Sequence, residues 1–263
     1  MPERPHLHHW FRLGYVARGL VFMGLGAMAW STGRGQSNGD VIARFRQLPL
    51  GQLLIVALIL ALTGLGLFRL AEAWLDLDRR GSGRSALLQR VGRGFGALGY
   101  LGVAAAAAVL LCSGPGPAAQ VTDVARTARD VRDLPGGGLI LIVAGFVAIG
   151  AAFGQLAMAW HCRFMQTLSP AAPPAMRWLG RFGYAARGVV FFLIGWQLVR
   201  AGLAGHRIRD VAAVLDAIRE HAFLFHLITG GLFLFGTYSL VEARYRRMPD
   251  DDELENRARA KLA

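Results

Sequence analysis

Lysine occurs once in this chain, at Lys261, and cysteine twice, at Cys112 and Cys162. Two thiols cannot supply the framework that staples small secreted domains. Cys112 closes one apolar block and Cys162 follows the next, so both are expected as isolated thiols packed among helices. Charge is scarce as well, at 17% of residues against about 25% in an ordinary soluble domain. No Ser/His/Asp order, zinc-ligand spacing or paired carboxylates is present, so no catalytic residue, metal or cofactor is expected and the chain does not read as an enzyme. His6, His8 and His9 sit in a polar terminal stretch that fixes no coordination geometry, while His161 and His226 read as packing residues. The net charge of +12 lies in arginines scattered between apolar blocks, without the basic stripe and interleaved aromatics of single-strand binders. Nucleic acid is therefore not an expected partner. Met1–Trp10 lacks a small-residue cleavage site, so the first helix is expected to be retained as an anchor.

What the chain has is apolar length. Hydrophobic residues make up 54% of it and come in blocks: Leu50–Phe68 and Phe223–Val241 each run nineteen residues without a charge. A helix needs about 20 such residues to cross the hydrocarbon core. Six transmembrane helices are expected, near Phe11–Trp30, Leu50–Trp74, Gly92–Cys112, Gly137–Trp160, Leu179–Val199 and Ala222–Glu242, in an all-α membrane protein. Trp10, Trp30, Trp74, Trp160 and Trp178 stand at their boundaries, where amphipathic rings anchor at the headgroups. The segments that share a side with the termini carry the larger number of arginines, which predicts a bacterial inner-membrane protein with both termini cytoplasmic.

The blocks repeat. Helix openings recur as Arg12-Leu-Gly-Tyr-Val-Ala-Arg-Gly, Arg90-Val-Gly-Arg-Gly-Phe-Gly-Ala and Arg181-Phe-Gly-Tyr-Ala-Ala-Arg-Gly. Helix endings recur as Arg69-Leu-Ala-Glu-Ala-Trp, Gln155-Leu-Ala-Met-Ala-Trp and Ser239-Leu-Val-Glu-Ala-Arg, at a period of about 85 residues. Residues 1–263 thus read as one integral membrane domain of three tandem two-helix repeats, 11–75, 90–161 and 179–245, with a cytoplasmic tail at 246–263. A pseudo-threefold bundle is the arrangement such repeats suggest. Asp40, Asp123 and Asp210 open the loops between paired helices and are natural N-caps. Behind them Val41–Leu48, Val124–Leu134 and Val211–His221 predict short amphipathic periplasmic helices on the outer membrane surface. The spacings Gly92-x-x-x-Gly96 and Gly150-x-x-x-Gly154 predict close helix contacts. With its Gly-Tyr-x-Ala-Arg-Gly openings at Gly14–Gly19 and Gly183–Gly188 and its Leu-x-Glu-Ala endings at Leu70–Ala73 and Leu240–Ala243, the chain resembles the bacterial domain-of-unknown-function family 1206. That resemblance implies three two-helix membrane repeats over nearly the whole chain and brings no activity.

Arg18 and Arg187 fall well inside their spans, where a charge costs at least about 2.5–3.5 kcal/mol and needs a partner. Glu72 and Glu242, at the ends of the adjoining spans, are the expected partners in pairs joining the two helices of each repeat. Arg69 for Glu72 and Arg246 for Glu242 are the local alternatives. Tyr15 and Tyr184 are expected either to lend hydroxyls to the same clusters or to serve as interfacial anchors. In the middle repeat Gly96 replaces the arginine and Met158 the glutamate, as if one pair had been lost together. With charges gathered toward one face and apolar centres elsewhere, the expected role is structural, regulatory, or binding of an anionic lipid or another membrane protein in the bilayer. The competing expectation is a small transporter or channel along the pseudo-threefold axis.

Overall fold

In hydrocarbon, every backbone N–H and C=O must be bonded within its own segment, and the uninterrupted apolar runs of this chain all fold as helices. The computed structural model describes residues 7–36, 38–75, 84–112, 130–204 and 221–247. Among the described residues seven helices follow in order: α1 (Leu7–Thr32), α2 (Asn38–Arg46), α3 (Gly51–Leu75), α4 (Arg84–Cys112), α5 (Gly137–His161), α6 (Met176–Ala204) and α7 (Ala222–Tyr245). A 3₁₀ turn at Arg163–Thr167 follows α5. Among the described residues there is no strand, only one isolated bridge between Leu168 and Arg246. Five helices are long and apolar enough to cross a membrane, namely α1, α3, α5, α6 and α7, whereas the apolar part of α4, Gly96–Cys112, is shorter. The helices begin and end several residues outside the apolar blocks, because a helix need not stop where its sequence turns polar.

The six long helices pack in the cyclic order α4, α3, α1, α7, α6, α5, and α5 touches α4 only slightly to complete the ring. The most extensive contacts are α5 with α6, α1 with α7, and α3 with α4. Each of these joins helices from different two-helix units of the sequence, whereas helices within a unit meet less extensively.

Glycine marks the close approaches, though at other positions than the sequence spacing suggested. A Cβ at Gly26 of α1 would lie 2.7 Å from the Thr229 carbonyl of α7, and one at Gly195 of α6 would lie 2.8 Å from the Gly145 carbonyl of α5. Gly96, Gly150 and Gly154 face open space instead. They therefore mediate no close contact among the described residues, contrary to the expectation from their spacing.

The connection before α3 and that before α5 use the same turn. Leu50 and Gly136 both take left-handed conformations, with φ of 60° and 76°, one residue ahead of Gly51 and Gly137. The helix α2 departs from expectation in two ways. It starts at Asn38, so Asp40 sits inside its first turn rather than at its cap. Its Val41 and Ile42 are wholly buried against α1 and α3, so this face packs on protein and not on a lipid surface. Arg46 donates to the Leu110 carbonyl at 2.9 Å, closing the C-terminal end of α4. Asp123 and Asp210, with most of the two amphipathic helices expected after them, lie outside the described residues, as does the tail beyond Arg247.

The outer surface is apolar. Leu53, Leu60 and Leu67 of α3 and Leu139, Phe146 and Phe153 of α5 are all more than half exposed, an arrangement suited to lipid contact. Trp30, Trp74, Trp160 and Trp178 are exposed near helix ends, where membrane anchors belong. Cys112 and Cys162 are both free.

The glycine contacts predict a contrast between two substitutions, read as thermal unfolding in detergent. Gly26→Ala drives a methyl into the α7 backbone and lowers the melting temperature. Gly102→Ala meets nothing within 4 Å, and gains from alanine's better helix propensity, worth about 0.8–1 kcal/mol. Equal losses at both sites would remove this account of the α1–α7 packing.

Candidate functional site

Arg18 of α1 faces α7, and α7 presents Ser239 and Glu242 one turn apart on the facing side. The Arg18 Nε donates to Ser239 Oγ at 3.0 Å, and its Nη2 pairs with Glu242 Oε2. Ser239 in turn donates to the Phe235 carbonyl at 2.8 Å, which fixes its hydroxyl as acceptor for the guanidinium. The other Glu242 oxygen accepts from Arg246 Nη1 at 2.6 Å. Arg246 then reaches across with Nη2 to Glu72 Oε1 at 2.8 Å, and Glu72 Oε2 accepts from Arg69 Nη1 at 2.9 Å. One continuous network therefore runs Arg18, Glu242, Arg246, Glu72, Arg69 and ties α1, α7 and α3 together.

The backbone sets this up. Helix α7 stops at Tyr245, and Arg246 turns to an extended conformation while its N–H still bonds the Glu242 carbonyl. Ser169 N–H bonds the Tyr245 carbonyl at 2.7 Å and Arg247 N–H bonds the Thr167 carbonyl at 3.0 Å, so the loop after α5 clamps this exit. The clamp leaves the Arg246 side chain folded beneath the bundle, 7% exposed between the two carboxylates. Burial opposes the Arg246 charge, and the surrounding Tyr15, Glu72 and Glu242 hold its pKa above the ordinary guanidinium value all the same. Arg12 donates to the Ala243 and Arg244 carbonyls at 3.1 and 2.7 Å, closing the last turn of α7.

Tyr15 contributes its ring rather than its hydroxyl. The guanidinium carbons of Arg18, Arg246 and Arg69 lie 4.7, 5.0 and 5.6 Å from its centroid, and its buried hydroxyl has no hydrogen-bond partner. Three cations on one ring are each stabilised by its quadrupole, by about 0.5–2 kcal/mol apiece. Tyr184 likewise acts through its ring, stacked on Phe164 at 5.3 Å with Phe235 and Tyr238 edge-on.

Arg187 stands apart. It is 8% exposed, and no carboxylate pairs with it among the described residues. Its guanidinium carbon instead lies among the rings of Phe191, Phe235, Phe22 and Tyr100, at 4.8, 5.0, 5.3 and 5.8 Å. The expected pairing within each two-helix unit is thus corrected. Arg18 takes Glu242 rather than Glu72, Arg187 takes no carboxylate among the described residues, and both local alternatives, Arg69 with Glu72 and Arg246 with Glu242, are made. The reason is the ring order: α1 packs more closely on α7 than on α3.

Two participants escaped the sequence reading. Ser239 lies three residues before Glu242 and so shares its helix face, a spacing that would have flagged it. Tyr100, four residues after Gly96, gave no signal of its own. His226, half-buried and edge-on to Trp30 at 4.7 Å, bonds the Ala222 carbonyl and has no part in the network. Among the described residues no cluster suited to a metal ion occurs.

Residues 13–76 and 182–246 match the model of the family described as Domain of Unknown Function (DUF1206). These two segments carry every member of the buried network. A curated relative, "Uncharacterized protein YxxB" of Bacillus subtilis (strain 168), is 25% identical over 260 residues, covering 93% of each chain. No solved structure matches.

The network predicts which residues couple. Replacing either partner of the Arg18–Glu242 pair with a neutral isostere leaves the other charge buried, at a cost of about 3–5 kcal/mol. In double-mutant cycles on detergent stability, Arg18→Met with Glu242→Gln shows a large interaction energy, and Arg18→Met with Glu72→Gln a smaller one. The reverse order would restore the pairing within the first two-helix unit.

Proposed function

We propose that this chain, a member of the DUF1206 family, is a six-span protein of the bacterial inner membrane with both termini cytoplasmic, and that it binds a lipid or partner there without catalysing or conducting. Five helices meet the length and hydropathy a span requires. Helix α4 has 29 residues, about 43 Å at 1.5 Å per residue, and its seventeen-residue apolar part reaches the lower limit for crossing. The arginine excess on the side of the termini supports the orientation. The cyclic helix order and the recurring glycine contacts support three repeats about a pseudo-threefold axis.

The observation that carries the binding role is the filled centre. Tyr15, Tyr184, Phe235 and Tyr238 are buried between the helices together with Arg18 and Glu242, while Phe22 and Phe191 close over Arg187. A conducting path needs room and polar groups through its full depth. Here aromatic rings occupy the level at which the charges lie, which favours a closed binding scaffold over a transporter or channel.

Reporter fusions test the topology. Fusions after Pro249 and within Arg79–Arg84 report cytoplasm and one near Gly116 reports periplasm, whereas a periplasmic C-terminus would overturn the orientation. Proteoliposomes test the closed scaffold: flux of chloride, phosphate or small organic acids stays at the level of empty liposomes. A saturable flux above that level would replace the binding role with transport.

A further inference from the structure

We infer that Arg187 holds a small oxyanion, a carboxylate or phosphate group, in the position that the protein itself fills with Glu242 at the equivalent interface. The inference deepens the binding role proposed above and rests on it for the ligand's access alone.

The starting point is a register shared by two interfaces. On α1, Gly19 lies against Leu240 and the Gly236 carbonyl of α7, and Gly26 lies against Phe233 and the Thr229 carbonyl. On α6, Gly188 lies against Leu156 and the Ala152 carbonyl of α5, and Gly195 lies against Ile149 and the Gly145 carbonyl. The spacing is the same in both sets, so α6 sits on α5 as α1 sits on α7. In that register Arg187 corresponds to Arg18, Gln155 to Ser239 and Met158 to Glu242. The first interface holds an arginine, a hydroxyl acceptor and a carboxylate. The second holds an arginine, an amide acceptor and a thioether.

The side chains agree with this correspondence. Arg187 Nε and Gln155 Oε1 are both buried and both lack a hydrogen-bond partner. They are the counterparts of the Arg18 Nε and Ser239 Oγ that bond each other. Among the described residues, what the second interface lacks is the anion. The aromatic rings around Arg187 attract its charge but accept none of its N–H groups in the plane where a carboxylate would. A methionine is flexible and apolar, able to fill the carboxylate's place when it is empty and to move aside when it is not.

The charge balance points the same way. Among the described residues, the buried charges are Arg18, Arg187 and Arg246 against Glu72 and Glu242, with the half-buried Arg69 beside Glu72. One bound monoanion reduces that cationic excess without disturbing an existing pair. Arg187 also reaches the Tyr100 ring of α4, so its guanidinium lies near the one weak join of the ring, between α4 and α5. That join offers an entry for a lipid phosphate from the bilayer, while a soluble anion would enter from a membrane face.

The test uses the full chain, purified in detergent and in nanodiscs. Its thermal unfolding is followed against acetate or inorganic phosphate at constant ionic strength, and in phosphatidylcholine discs with and without phosphatidylglycerol. Wild type shows a saturable rise in melting temperature with at least one of these, and Arg187→Gln abolishes it. Met158→Glu supplies the missing carboxylate from within. It melts at or above the saturated wild type without any anion and responds no further, whereas Met158→Gln still responds. If Met158→Glu does not fold, the comparison of wild type with Arg187→Gln decides alone. A response to phosphatidylglycerol only assigns the lipid phosphate as the source, and a response to the soluble ions only assigns a solute. No response in wild type, equal responses in wild type and Arg187→Gln, or an undiminished response in Met158→Glu overturns the site. Neither reporter topology nor liposome flux alters that comparison, so the two readings fail separately.

Discussion

The pairing of Arg18 with Glu242 is the constraint around which the bundle is organised. A guanidinium two turns inside an apolar helix cannot be left among hydrocarbon groups, and neither can a carboxylate that is wholly buried. Satisfying both at once forces α1 and α7, the first and last of the described helices, side by side. The small residues along that line then follow: Gly19, Gly26 and Gly236 allow the backbones close enough for the arginine to span the gap. Every further member of the network is fixed from there. Arg246 completes Glu242, Glu72 completes Arg246, and Arg69 completes Glu72.

Because the strongest packing joins different two-helix units, the charges of one unit meet those of another. Gly96 faces open space, and Met158 stands on α5 where Glu242 stands on α7. Glu72 of α3 is served by Arg69 and Arg246. The α6 side is left with Arg187 among aromatic rings. The two positions that look in the sequence like one missing pair, Gly96 and Met158, lie on helices that pack against different neighbours, α4 on α3 and α5 on α6. The asymmetry concentrates positive charge on one side of the ring, next to its weakest join.

The aromatic residues make that concentration tolerable. Tyr15 carries three guanidinium groups around one ring, and Phe235 lies beneath both Arg18 and Arg187 at 5.0 Å. A ring quadrupole attracts a cation without adding a charge that would itself need burying. It gives weaker and less directional support than a carboxylate. The arginines held mainly by rings are therefore the ones with capacity left for another partner.

The sequence by itself determined where most of the helices run, that large parts of them are apolar enough to cross a membrane, that the openings and endings recur, and that Arg18, Glu72, Arg187 and Glu242 fall within or beside those apolar runs. Each of these is a local or periodic property, carried by the hydropathy of a window or by a repeated string of residues. The tertiary structure decided which charge meets which. Arg18 had two carboxylates at similar depth, and nothing along the chain distinguishes the neighbour on one flank of a helix from that on the other. That choice depends on the cyclic order of the helices, which the close approach of small residues sets only once the bundle is assembled. The same holds for Arg246, which reads as the start of a solvated tail until the Leu168 bridge folds it under the bundle. The same holds for Arg187, whose lack of a carboxylate partner among the described residues shows only when its interface is set against that of Arg18.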